Sequence, residues 1–534
     1  MSLIKDVVFV FFPPESSRGR WLKKKMVKLG AAKSYIPNPV YEHWIKAIED
    51  YSFVAPVENK DTSSASLPVL SIVIPMFNTK DKYLAPLLYS IINQSYSRWR
   101  LILADASTDS KRAAAIKAAA KQDKRIEYIR LKKNEGISGN TNKGLEHVTS
   151  EYVVFMDHDD TINPHALNEI AAVIIDKPGV DIIYSDEDKL TDDGSARHTP
   201  HFKPDWSPHQ YLSCNWTSHL SSVRTELAKR VGGLRTEMDG AQDYDFILRI
   251  LALPGSRTVM HIPKVLYHWR QAEGSTAGNF DDKEYAIVAG QKALAEYITA
   301  RGWRGSVESI QNRSGFYKVT FQPKQDRKAV IIVDASSDER LNKTLLDRLR
   351  ASSSSTLPAK FFTKQDFETS RKKILSDLSA DDHIFTIKGD YSPIDTKWID
   401  ELSGVLELED VRAVSPRILT TYDTIKDMGI IIDGQGKERE LFQGLPSQAG
   451  TVFGHVEWIR DVAHVSGRFY GAKKAEWENM QKEGILTGKD TGKYDVVWSH
   501  INFMLTTENS DNGVFLNRNL TINEQNGEPN TWGK

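Results

Sequence analysis

Residues 152–160 read YVVFMDHDD: an apolar run from Tyr152 to Met156, then three carboxylates, Asp157, Asp159 and Asp160, within four residues. A short unbroken apolar run of this kind predicts a buried strand. Working back towards the N-terminus, the pattern repeats. LSIVIP at 70–75, WRLIL at 99–103 and IEYIRL at 126–131 are strand-like, and residues 83–94, 110–122 and 140–147 have helical character. Such alternation predicts βαβ units and an α/β fold with a mostly parallel central sheet covered by helices. Ligands of open sheets bind beyond the carboxyl ends of the strands, where the acids after Met156 fall. Three like charges there repel one another, and a divalent cation offsets the repulsion. Mg²⁺ or Mn²⁺ prefers hard oxygen ligands and takes one or two carboxylates together with substrate phosphates. The competing reading is a solvated loop in which Asp160 caps a helix starting near Pro164.

The chain has 534 residues, which predicts three or four ordinary domains or two large ones. Its composition, 40% hydrophobic, 26% charged and 10% aromatic, is that of a globular protein rather than a disordered one. Seventy basic residues against 71 acidic give a net charge of −1, without the basic excess of a nucleic-acid binder. The one cysteine, Cys214, excludes an intramolecular disulfide framework and any cysteine-cluster metal site, and fits a reducing cytoplasm. No apolar run approaches the ~20 residues of a membrane span, and the early run Val7 to Phe12 is cut by Pro13 and Pro14. The expectation is a soluble, cytoplasmic protein.

Residues 1–66 read as a preamble. Between Arg18 and Lys33 there are seven basic residues and no acid, with Leu22, Met26 and Leu29 on one helical face. A basic amphipathic helix can lie on an anionic membrane surface, or simply pack on the main body. TSSAS at 62–66 reads as a linker. A second α/β segment begins near Arg327, with KAVIIV at 328–333 as its first strand, and the boundary falls within residues 311–326. The expected organisation is a preamble at 1–66, a first domain at 67–322 and a second at 323–534.

Nine motifs stand in order between residues 67 and 280: IVIPMFN at 72–78, LADASTD at 103–109, NEGISGNTNKG at 134–144, FMDHDD at 155–160, YSDEDKL at 184–190, FKPDWSP at 202–208, DGAQDYDFILR at 239–249, IPKVLYHWR at 262–270 and GSTA at 274–277. In this order they resemble the inverting glycosyltransferases of family 2, which have the nucleotide-sugar-binding GT-A fold, and most of all bacterial enzymes that build O-antigen and other surface polysaccharides. The resemblance implies a role for each motif. Pro75, Phe77 and Asn78 would lie along the nucleotide base, and Asp105 would hydrogen-bond it; Ala104 precedes Asp105, so either the first acid of the usual pair is lost or the loop is one residue shorter. Asn134, Gly136 and Asn140 precede a helix whose N-terminus favours phosphate. Asp157 would contact the ribose or sugar of the donor, and Asp159 would hold Mg²⁺ or Mn²⁺ with His268. Arg270 is a candidate phosphate clamp. Asp186, Glu187, Trp216 and Gln242 are candidates for the acceptor side; a solvated acidic turn and core packing are the plain alternatives for the first three. Asp243 would be the base that takes the acceptor hydroxyl proton, and Asp245 with Arg249 an ordinary i,i+4 helix pair.

The second half carries a weaker echo. Phe385 to Asp390, FTIKGD, lies over Phe155 to Asp160, which puts Ile387 at Asp157 and Gly389 at Asp159 and keeps only Asp390. Matching Tyr494-Asp495 to Tyr244-Asp245 puts Lys493 at the place of Asp243, and a looser match puts Asn523 at His268. The expectation is a degenerate GT-A-like α/β domain without transferase chemistry. The whole reads as an inverting, metal-dependent glycosyltransferase that uses a nucleotide-diphosphate sugar and a lipid-linked oligosaccharide or polysaccharide acceptor, with peripheral membrane contact through residues 18–33. The rivals are a nucleotidyltransferase, which would need a basic Gly-rich loop near the first strand that PMFNTKDK does not provide, and a glycan-binding scaffold on a dead transferase fold.

Overall fold

The computed structural model describes residues 38–47, 49, 53–59, 67–272, 284–310, 315–451, 454–484 and 493–505. The basic segment at 18–33, the linker at 62–66, the GSTA motif and Asn523 lie outside the described residues.

The predicted strands form where the apolar runs stand: β1 (Leu70–Met76), β2 (Trp99–Asp105), β3 (Ile126–Arg130) and β4 (Tyr152–Phe155). Every residue of β1 is buried, because both faces of the sheet are covered by helices. The later strands are β5 (Thr161–Ile162), β6 (Ile182–Leu190), β7 (Arg197–His201), β8 (Ser221–Arg224) and β9 (Val259–Arg270). Together they make one nine-stranded sheet in the order β3-β2-β1-β4-β8-β6-β9-β5, with β7 beside β6.

The α/β expectation holds, but the sheet is mixed rather than mostly parallel. β1 to β4 pair in parallel, whereas β8 returns antiparallel between β4 and β6. Its sequence, SSVR, has one apolar residue and gives no strand signal. YSDEDKL is not a turn either: it is the second half of β6, almost wholly buried.

The helices of the first half are α1 (Pro39–Ala47), α2 (Asp81–Ile92), α3 (Ser110–Ala120), α4 (Gly136–Leu145), α5 (Ala166–Asp176), α6 (Thr225–Arg230), α7 (Gln242–Leu251) and α8 (Glu284–Ala300). Part of the preamble packs on this body. Tyr41 of α1 donates its hydroxyl to Asp188 at 2.6 Å, Glu49 accepts both terminal nitrogens of Arg197, and the Val57 amide donates to Asn168 at 2.9 Å.

A hairpin of β10 (Gly305–Ser309) and β11 (Tyr317–Phe321) leads to the second half. Its strands are β12 (Ala329–Val333), β13 (Ala359–Thr363), β14 (His383–Ile387), β15 (Tyr391–Pro393), β16 (Val411–Leu419) and β17 (Ile425–Asp427). Two small ribbons follow, β18 (Ile430–Ile432) with β19 (Glu438–Glu440) and β20 (Gly450–Thr451) with β21 (Gly454–His455), then β22 (Arg460–Val462), β23 (Phe469–Lys473) and β24 (Tyr494–Leu505). Its helices are α9 (Glu339–Ala351), α10 (Lys364–Ser376), α11 (Trp398–Leu406) and α12 (Lys474–Glu483).

The second sheet runs β13-β12-β14-β23-β16-β24-β15, with β17 on β16 and β22 on β24. Matching strand for strand, this is the first sheet without β3. β12 and β13 stand for β1 and β2, β14 for β4, β23 for β8, β16 for β6, β24 for β9 and β15 for β5. The directions agree as well: β14/β23 and β16/β23 are antiparallel and β16/β24 parallel. One apolar core runs through both halves and includes Trp216, Tyr317, Phe321, Trp398 and Trp498. His209 and Asp461, 2.7 Å apart, tie the halves together. Among the described residues no helix is long and apolar enough to cross a membrane.

Candidate active site

The loop after β4 and the start of α7 meet. Asp157 and Asp243, 86 positions apart in the chain, face one partly open cavity of about 570 Å³, counting the open space at its mouth. Pro75 and Gln242 line it with them, as do Thr141 of α4 and His219. Burial pushes the Asp157 carboxyl up to about 6, the charges of Asp159 and Asp243 add to the rise, and His219 opposes it. Burial alone pushes Asp243 up to about 6. α7 opens with Gln242, so Asp243 stands in its first turn, where the helix dipole favours negative charge.

Asp160 is a brace. Its carboxylate accepts the Tyr267 hydroxyl at 2.5 Å and the Arg270 amide at 2.6 Å, which pins the acid loop to β9. It does not cap the following helix, which begins at Ala166. Asp245 pairs with Arg249 at 2.9 Å, as an i,i+4 pair should, and also with Arg235.

Several expected site residues are occupied elsewhere. Asp105 is wholly buried and accepts the Ser107 amide and the Tyr128 hydroxyl, each at 2.8 Å, so it shapes the loop rather than facing a base. Asn78, at φ +49°, binds the Thr108 and Asp109 amides and so joins the loops after β1 and β2. Phe77 beside it is 38% exposed and remains available as a ring face. Asn134 accepts the Gly136 amide and the Asn140 side chain, so both asparagines hold their turn. The N-terminus of α4, expected to meet phosphate, meets the Asp239 carboxylate. Ser138 donates its hydroxyl to Asp239 at 2.5 Å, and a β-carbon on Gly136, at φ +79°, would lie 2.6 Å from that carboxylate.

Strand alternation sorts the side chains of β9. Successive residues of β9 point to opposite faces of the sheet. Tyr267 and Trp269 turn towards the His219 ring, with centroids 4.7 and 5.8 Å away. His268 turns the other way, with its Nδ1 at 2.7 Å from Asp188. Arg270 is 2% exposed; its guanidinium bonds the carbonyls of Asp159, Thr191 and Asp192, so it holds backbone rather than clamping phosphate.

The acceptor candidates divide. Gln242 lines the cavity, with its side-chain oxygen accepting the Gly240 amide at 2.7 Å. Asp186, in β6, accepts from the Lys203 amide and faces His261. Glu187 accepts the His219 amide at 2.5 Å and so holds the cavity wall without facing the cavity. Trp216 is 1% exposed and packs among Tyr184, Trp206 and Tyr211, a core residue offering no sugar face. His219 was not legible beforehand. It stands in NWTSHL at 215–220, between recognisable motifs, and only the return of β8 brings it to the cavity.

In the second half the register settles the equivalences. β5 pairs Thr161 with His268, and β15 pairs Tyr391 with Leu505, so Leu505 occupies the place of His268. α6 follows β8 directly and α12 follows β23 directly, so α12 is the counterpart of α6. No counterpart of α7 stands among the described residues. Tyr494-Asp495 opens β24 and does not match Tyr244-Asp245 in α7; the proposed match of Lys493 to Asp243 falls with it.

The family model described as "Glycosyl transferase family 2" matches residues 71–229. O-antigen biosynthesis protein RfbC of Myxococcus xanthus is 29% identical over 445 residues, 77% of this chain and 34% of that protein. The protein y4gI of Sinorhizobium fredii is 38% identical over 43% of this chain and 25% of its own length. The chain thus spans about a third or less of these two relatives. A Campylobacter jejuni GalNAc(5)-diNAcBac-PP-undecaprenol β-1,3-glucosyltransferase is 32% identical over 20% of this chain and 34% of its own. Among solved structures, Staphylococcus aureus TarS 1–349 in complex with UDP-GlcNAc aligns with TM-score 0.34 and 20% identity, over 43% of this chain and 72% of that one. The cavity-bearing sheet of this protein is built on that matched segment, and residues 71–229 belong to glycosyl transferase family 2.

Proposed function

We propose that the chain is an inverting glycosyltransferase that moves a sugar from a nucleotide-diphosphate sugar to a hydroxyl of a growing cell-surface polysaccharide of O-antigen or capsule type. The observation that carries this reading is the shared cavity of Asp157 and Asp243. A donor-side carboxylate and a basic carboxylate lining one cavity suit displacement at an anomeric carbon, in which the acceptor attacks from the face opposite the departing phosphate. Asp243 is the base. A carboxylate that titrates near 6 is ionised at neutral pH and takes a proton more readily than an ordinary one. Asp157 orients the donor, and Asp160, through Tyr267 and the Arg270 amide, keeps the loop rigid.

The donor set of the acid loop suits Mg²⁺ or Mn²⁺, which take hard carboxylate oxygens; Asp157 is raised first by burial and further by the charge of Asp159, which a divalent charge would offset. Asp159, with Asp157, would hold the ion, which when bound stabilises negative charge on the leaving nucleoside diphosphate. Residues 67–322 form the catalytic unit. The unit at 323–534, which over its described residues repeats the sheet and keeps only Asp390 of the three acids, serves acceptor binding or assembly. A lipid-linked acceptor accords with the undecaprenol-linked substrate in the name of the Campylobacter relative; an enzyme using such an acceptor would work at the cytoplasmic face of a membrane.

The test is nucleoside diphosphate release from a panel of UDP-, dTDP- and GDP-sugars, with and without Mn²⁺ and a lipid-linked oligosaccharide. Acceptor-dependent, Mn²⁺-stimulated release supports the reading; transfer of a nucleotidyl group, or no release from any donor, overturns it.

A further inference from the structure

His219 is held from four sides. Its amide donates to Glu187 at 2.5 Å, and its carbonyl accepts the Lys203 ammonium at 2.6 Å. Its ring lies against Tyr267 and edge-on to Trp269. Lys203 is itself buried, at 5% exposed, so the support is part of the core rather than a surface contact. Yet neither ring nitrogen has a hydrogen-bond partner among the described residues, and neither is sealed from solvent. The ring lines the cavity that holds Asp157 and Asp243, and the antiparallel register of β4 on β8, which pairs Phe155 with Ser221, brings the segment before β8 towards Asp157. An imidazole fixed at its backbone and along its ring, with its polar atoms left over, is preorganised for a ligand.

We propose that His219 hydrogen-bonds a hydroxyl of the donor sugar and, with Asp157, sets which sugar is accepted. This rests on the glycosyltransferase reading above. Between a donor-side acid and the base stands the ring being transferred, so a group beside Asp157 on the wall of that space meets sugar rather than nucleotide. A site built to hydrogen-bond a hydroxyl discriminates strongly against analogues that lack it or direct it elsewhere.

The experiment compares binding of UDP with binding of UDP-N-acetylglucosamine, UDP-glucose, UDP-galactose and dTDP-rhamnose by calorimetry, for wild type, His219→Phe, His219→Gln and Asp243→Asn, each checked for an unchanged melting temperature. The expected result is that His219→Phe binds the preferred sugar donor about tenfold more weakly and its bare nucleotide within about twofold of wild type. His219→Gln, which keeps a donor and an acceptor, regains part of the loss, and kcat/KM among donors flattens. Asp243→Asn binds the donor normally while losing turnover, which separates the two assignments. Equal weakening of nucleotide and sugar donor, or no weakening of either, overturns the role of His219. A wild type that binds none of these donors and no GDP-sugar overturns the glycosyltransferase reading and this assignment with it. If His219→Phe does not fold, His219→Gln carries the same comparison with a smaller expected loss.

Discussion

The two halves of this chain share a sheet and differ in what stands at its carboxyl edge. In the first half the strand β4 runs into Asp157, Asp159 and Asp160, and α7 brings Asp243 to face them. In the second, the corresponding positions are Ile387, Gly389 and Asp390. Ile387 is wholly buried. A β-carbon on Gly389 would run into the Tyr391 ring, so no acid fits there. Asp390 is paired with Arg348. A fold can stand without these acids because the two rest on different residues. The apolar strands stabilise the sheet, at roughly 25 cal/mol for each Å² buried, whereas crowded carboxylates destabilise it. Asp157, raised to about 6 first by burial and then by the charges of Asp159 and Asp243, shows the cost of a buried acid in that company. Where no substrate or cation needs the acids, nothing opposes their replacement.

The largest expected effect separates the halves outright. Asp243→Asn should lower turnover by about 10²- to 10⁴-fold, the range for loss of a general base, with donor affinity by calorimetry little changed. Turnover near the wild-type rate in that variant would erase the distinction drawn here. Second, turnover of the wild type should depend on the protonation of Asp243. Its carboxyl titrates near 6, above the ordinary value of about 3.9. The base acts unprotonated, so the rate is full well above pH 6 and falls about tenfold per unit below it. A steady-state pH profile flat down to pH 4 would contradict this.

Third, the halves are clamped by His209, buried between Asp461 and Asp410 and raised to about 10 by their charges against the opposing effect of burial. A raised histidine contributes its full stabilisation below its unfolded value of about 6.5 and loses it as pH rises through about 10. His209→Ala should therefore cost on the order of 3 kcal/mol in urea unfolding at pH 6, since it strands a buried carboxylate. The gap to wild type should narrow above pH 10; an equal gap at both pH values would deny the charge its role. The smallest effect sharpens the comparison from the other side. Asp390→Asn, at the one acid position the halves share, should change turnover less than about twofold, because a surface-type ion pair contributes little and Asp390 lies outside the cavity of the first half. A large loss would move chemistry into the second half.

Much of this was legible in the sequence. Strands β1, β2, β4 and β12 announce themselves as apolar runs, and the resemblance of the ordered motifs to family 2 glycosyltransferases put Asp157 and Asp243 in one site before any coordinates. What was not legible depends on pairing across long separations. SSVR does not look like a strand, yet β8 reverses the sheet and delivers His219. VLYHWR does not say which of His268 or its neighbours faces the acids. That is decided by which side of β9 packs on β6, and alternation then sends His268 to Asp188. Arg270 and Trp216 carry functional-looking side chains, but their burial among carbonyls and rings is a property of the folded core. The echo of Tyr244-Asp245 at Tyr494-Asp495 was two residues of coincidence, exposed once one pair proved helical and the other a strand.

The central claim is that one sugar ring sits between Asp157 and Asp243, in the first half alone. A crystal structure of the intact Asp243→Asn chain, soaked with Mn²⁺ and the donor selected by the release assay, tests it most directly. The account predicts density for the sugar between those two side chains, within hydrogen-bond reach of His219, with the ion against Asp159. A donor bound elsewhere, or a sugar ring turned away from position 243, would contradict it.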